Sequence, residues 1–163
     1  MKRSRMVGIA AGVLVAMQLV PLSRTNPPVE GALAAPPEVQ AILDRSCMDC
    51  HSHATRWPWY AWAAPVSWLV VYDVHHGRDH VNFSRWSSYS AKQQRHKLDE
   101  MVEMVEDGEM PLTPYLWLHR EAELSQADRE LLVSFAETRT PVRESDEEPA
   151  ASPHEDHEHQ HQH

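Results

Sequence analysis

The chain has 163 residues, room for one domain with tails and not for a multidomain enzyme. It is 42% hydrophobic with six Trp, which excludes a wholly disordered chain, and its net charge of −9 excludes a nucleic-acid partner, which would need a basic face. Two cysteines, Cys47 and Cys50, exclude a multi-disulfide scaffold and confine thiol chemistry to one place.

Met1 to Arg5 reads MKRSR, with three positive charges, and Met6 to Leu22 follows with no charged residue. This pattern predicts an export segment over 1–22, either a cleaved signal peptide or a retained membrane anchor with its positive end inside. The pattern Ala32-Leu33-Ala34 lies far past the apolar run, which favours the uncleaved anchor. Beyond residue 22 there are 12 basic and 24 acidic residues, net −12, so the exported part is acidic.

Residues 23–35 carry Pro27, Pro28 and Gly31 and are expected to form an extended tether. The folded domain is expected over 36–140. Val39, Ile42 and Leu43 recur at helical spacing after Pro36-Pro37, predicting a helix that runs into Cys47. Arg56 to Trp68 holds Pro58, Pro65 and four Trp, a bent loop, followed by a short helix through Val70 to Val74 that Gly77 should end. Residues 81–90 read as mostly irregular. Ala91 to Asp107 places Leu98, Met101, Val102 and Val105 on one helical face, closed by Gly108. Pro111 and Pro114 predict a loop, and Leu124 to Thr138 a last helix with Leu131, Leu132 and Phe135 on one face and Ser125 as N-cap. No strand pattern occurs, so the fold class is all-α. Residues 141–163 are acidic and His-rich and are expected to be a disordered tail.

Cys47-Met48-Asp49-Cys50-His51 is the CxxCH pattern of covalent c-type haem attachment. Two thiols at this spacing reach the two vinyl groups on one porphyrin edge, and the adjacent His51 turns its imidazole to the iron. Three other readings compete: a thioredoxin-like dithiol, which wants a βαβ context; a zinc site adding His51, His53 or another His; and a plain disulfide.

The stretch from Cys47 to Trp86, followed by GEMPLTPYLWLH and a last helix, resembles the small bacterial haem-binding-domain proteins, a single-CxxCH group related to class I cytochromes c. The resemblance runs from about Asn26 to Phe135. It implies an all-α, cytochrome c-like fold around one covalent haem.

Met110, 59 positions after His51 in Gly108-Glu109-Met110-Pro111, stands where class I cytochromes present a methionine to the iron, and is the favoured second axial ligand. Its rivals are His75, His76, His80 and His119, or an open iron. Met48, Met101 and Met104 are read as packing residues. Trp57, Trp59, Trp62, Trp68 and Trp86 would either wall off the porphyrin or fill ordinary core, and Trp57 and Trp59 would suit an interfacial belt on a tethered domain. Arg56 and, with modest preference, Arg78 are candidate partners for haem propionates.

The expected function is a periplasmic one-electron carrier whose redox partners dock through a basic face, with the membrane reached through residues 1–22. The alternative is a haem peroxidase or a redox or gas sensor with an open or labile sixth position. His154, His157, His159, His161 and His163, interleaved with carboxylates, form a candidate chelator for Zn, Cu or Ni.

Overall fold

A computed structural model describes residues 2–139. Among the described residues there are seven α-helices and no strand: α1 (Lys2–Gln18), α2 (Pro37–Ser46), α3 (Met48–His51), α4 (Val66–His80), α5 (Ala91–Glu106), α6 (Thr113–Leu116) and α7 (Gln126–Arg139). Short 3-10 segments lie at Trp59–Trp62, Phe83–Ser88 and Arg120–Ala122. The fold is all-α, as the periodicity predicts.

The core joins α2, α5 and α7 through Val39, Ile42, Leu43, Leu98, Val105, Leu132 and Phe135, with Phe83, Trp86 and Leu124 closing it. Each helix begins as its sequence requires. Pro37 opens α2 with a φ suited to the first turn, where its missing N–H costs nothing. Ser90 caps α5 in a reciprocal box with Gln93. Ser125 does the same for α7: its hydroxyl accepts from the Asp128 N–H, while the Asp128 carboxylate accepts from the Ser125 N–H. Asp128 also pairs with Arg45 at 2.6 Å, tying α7 to α2. Gly108, at φ +72°, ends α5 as expected. Leu131, expected in the core, is exposed on α7 beside the buried Leu132 and Phe135.

Several elements differ from the sequence expectation. Gly77 does not end the fourth helix; α4 begins at Val66 and runs through Gly77 to His80. Residues 81–90 are not irregular, since Phe83–Ser88 turns as 3-10 helix and supplies Phe83 and Trp86 to the core. The loop expected at Pro111 and Pro114 contains the short α6, with Pro114 in its first turn.

The Pro-rich stretch over 23–35 is extended, but it lies along the domain and is not a free spacer. Glu30 and Leu33 donate backbone hydrogen bonds to the carbonyls of Ser84 and Phe83, and Ser87 donates to Gly31. Leu33 is a core residue, only 3% exposed. The prolines remove competing donors, leaving the few free N–H groups to pair with the 3-10 segment.

Helix α1 keeps apolar side chains such as Met6, Ile9 and Val15 exposed and touches the domain through Gln18, whose amide exchanges hydrogen bonds with the backbone of Ala64. No helix among the described residues is long and apolar enough to cross a membrane.

Candidate functional site

The two cysteines flank the break between α2 and α3. Cys47 ends α2 by donating its N–H to the Leu43 carbonyl, and its own carbonyl then accepts from Cys50 and His51. One residue therefore closes one helix and starts the next, which sets both thiols on a rigid corner. Both thiols are free, and burial pushes each up to about 12. A thioredoxin-like dithiol belongs to a βαβ unit, whereas here the motif joins two helices and the described residues contain no strand.

Helix α4 packs on α3 at Gly77. A β-carbon there would lie 2.9 Å from the Cys50 carbonyl oxygen and 3.3 Å from the Cys50 Cβ. Only glycine permits the approach. The glycine that looked like a helix stop is a contact point, and its consequence falls on His51. His51 Nδ1 lies 2.9 Å from the Gly77 carbonyl and 3.3 Å from that of Val81. Carbonyls only accept, so Nδ1 carries the proton and Nε2 keeps a lone pair for a metal. Burial holds the imidazole below its usual pKa, favouring this neutral form.

Asp49, inside the motif, is a functional residue that sequence reasoning missed. It is 8% exposed, and its carboxylate accepts from the Arg56 backbone N–H at 2.9 Å, from the Arg56 guanidinium and from the Tyr115 hydroxyl at 2.9 Å. It thus fastens the loop after the motif and α6 to the CxxCH corner. Burial and the nearby Asp49 carboxylate raise the Tyr115 pKa, keeping that hydroxyl a donor. The only sequence signal was a lone acid within the motif seven positions before an arginine. Arg56, a candidate propionate partner, is engaged in this pair.

Arg78 spans α4, the motif and the extended strap formed by residues 23–35. Its guanidinium donates to the carbonyls of Ser52 (2.7 Å) and Thr25 (2.9 Å), to Asn26 Oδ1 (3.0 Å) and to Thr55 Oγ1 (2.8 Å). Four of its five N–H groups are thereby committed within the chain. Replacing Arg78 by Met should cost about 2–3 kcal/mol, since several acceptors lose a charged donor together. Chemical denaturation of the variant checks this; a cost below about 0.5 kcal/mol would place Arg78 among ordinary surface residues.

The remaining histidines separate by partner. His53 is buried and fully satisfied, with Nδ1 on the Pro28 carbonyl and Nε2 on the Asn82 amide, a core histidine and no ligand. His119 contacts the Tyr60 hydroxyl through Nε2 (2.6 Å) and Glu121 through Nδ1 (3.4 Å). His75 contacts the Ser23 carbonyl. His76 and His80 face each other on the exposed side of α4. Met110 lies half-buried in the turn after α5, with its N–H on the Met104 carbonyl.

The tryptophans differ in their surroundings. Trp86 is core, packed with Phe83 and Tyr89. Trp59 and Trp62 are 80% and 61% exposed, Trp62 beneath the Arg24 guanidinium. Trp57 reaches Asn26 Oδ1 at 3.3 Å. Trp68, in the first turn of α4, buries its indole N–H with no acceptor.

Among the described residues no three His, Cys, Asp or Glu converge as metal ligands. The donor set at the motif fits a haem: two free thiols on one corner and an imidazole with its tautomer fixed. His154, His157, His159, His161 and His163 lie outside the described residues.

No curated protein and no solved structure matches the chain significantly. The model of the haem-binding domain family matches residues 12–138, which covers the motif, the strap and every helix of the core. The chain belongs to the haem-binding domain family.

Proposed function

We propose that the chain holds one haem covalently through Cys47 and Cys50, with His51 and Met110 as axial ligands, and carries single electrons on the outer side of a bacterial inner membrane. The observation that carries this reading is the His51 imidazole, oriented by the Gly77 and Val81 carbonyls so that Nε2 is left to a metal. When bound, the haem supplies a one-electron exchange between Fe(II) and Fe(III).

The chain's own part is to hold, orient and shield. The α2–α3 corner fixes the thiols, Gly77 lets α4 supply the carbonyls that aim His51, and Asp49 locks the flanking loop. Met110 is favoured as the second ligand because His119 already uses both ring nitrogens and His75 is tied to the strap. The acidic surface, net −12 beyond residue 22, suits a redox partner with a basic face. The basic start and uncharged run of residues 1–22 support export, with the positive end retained inside.

Met110→Ala is the test. The parent protein should show a sulfur-to-Fe(III) charge-transfer band at the red edge of the visible spectrum. The variant should lose it, turn high-spin and bind carbon monoxide, and Met110→His should stay low-spin with a lower midpoint potential. A parent lacking the band and binding carbon monoxide would favour the peroxidase or sensor reading over electron carriage.

A further inference from the structure

The last two turns of α4 hold a pair of exposed imidazoles that the haem reading leaves unused. His76 and His80 stand at i and i+4, and their Nε2 atoms are 3.2 Å apart. The rings meet nearly edge to face, 4.5 Å between centroids, so the two nitrogens lie side by side on the exposed face of the helix, sharing a proton when no ion is bound. With metal–nitrogen bonds of about 2.0–2.1 Å, the separation of the two Nε2 atoms corresponds to a ligand–metal–ligand angle of about 100°, between square-planar and tetrahedral. We infer that His76 and His80 form a two-imidazole site for a divalent transition-metal ion of the Zn, Cu or Ni class, separate from the haem iron.

Three further features bear on it. The Tyr72 ring stacks on His76, 5.3 Å between centroids and 14° from parallel, which restricts that imidazole to the rotamer that keeps it beside His80. The pair sits at the helix C-terminus, where the macrodipole favours a cation. The spacing is that of paired zinc-binding histidines on a helix, here with the remaining positions left to water or a further donor. The opposing charge is Lys97, whose ammonium donates to the His80 carbonyl. Imidazole is a preferred donor for these metals and a poor one for Ca or Mg, which sets the ion class.

The test uses the full-length exported protein with its five tail histidines changed to glutamine, so that the tail contributes no imidazole. Equilibrium dialysis against Zn²⁺ should find one bound ion per chain, and His76→Gln or His80→Gln should each weaken it by on the order of tenfold or more. His96→Gln on α5 should leave it unchanged. The Cu²⁺ paramagnetic resonance spectrum should show two nitrogen couplings, reduced to one in either variant. Absent Zn²⁺ binding, or binding untouched by both variants, would mean that the two rings merely share a proton and would overturn the site. A haem spectrum that turns high-spin in His76→Gln or His80→Gln would assign that imidazole to the iron and overturn it equally.

Discussion

Changing Cys47 and Cys50 together to alanine should leave the exported protein almost free of haem, while either single change should leave one thioether and shift the haemochrome band. The chain has no other thiol, so no alternative attachment exists. Both sulfurs sit on the corner where Cys47 ends α2 and opens α3, so neither has a nearby substitute. His51 alone would hold an iron only through its Nε2, a bond that exchanges with competing ligands, whereas the thioethers are permanent. The haem content of purified single and double variants, measured against protein, reads the effect. A double variant retaining covalent haem would end the thioether assignment.

Gly77→Val should do comparable damage from the opposite side. Its β-carbon would meet the Cys50 carbonyl at 2.9 Å, and that oxygen belongs to the rigid backbone of α3, not to a side chain that turns aside. Helix α4 must then back away from α3, drawing the Gly77 and Val81 carbonyls off His51 Nδ1. Overpacking of this kind costs about 1–3 kcal/mol, and the loss of the His51 hydrogen bonds adds to it. The variant should melt lower, take up less haem and show a disturbed axial-ligand spectrum. Unchanged melting and an unchanged spectrum would contradict the role given to this contact.

The motif and the helices α2, α5 and α7 were legible in the sequence because each rests on a local pattern: CxxCH, Val39-Ile42-Leu43, the Ser125 cap, Leu98 with Val105. What escaped depends on contacts between distant segments. Gly77 carries the same letter whether it stops a helix or admits a neighbour, and only the approach of Cys50 distinguishes the two. Pro27 and Pro28 announce extended chain, but not that Leu33 is buried under the domain. Asp49 shows in the sequence only as an acid between the two cysteines, because its partners Arg56 and Tyr115 reach it from the following loop and from α6. Trp59 and Trp62 are not ordinary core, since both are exposed, and for Trp59 that agrees with the interfacial alternative; a run of tryptophans in sequence does not say which ring turns inward. Arg56 and Arg78, read as candidate propionate partners, also tie segments of the chain together, a role that no local pattern announces.

The central claim is covalent haem on Cys47 and Cys50, and the pyridine haemochrome spectrum tests it most directly. The protein should be exported in a host competent for cytochrome c maturation and extracted with acidified acetone before measurement. The account predicts that the haem stays with the protein and that its reduced α band lies at the position of a haem with two saturated vinyl groups. Haem released into the acetone, with the band of a free haem bearing both vinyls, would contradict it.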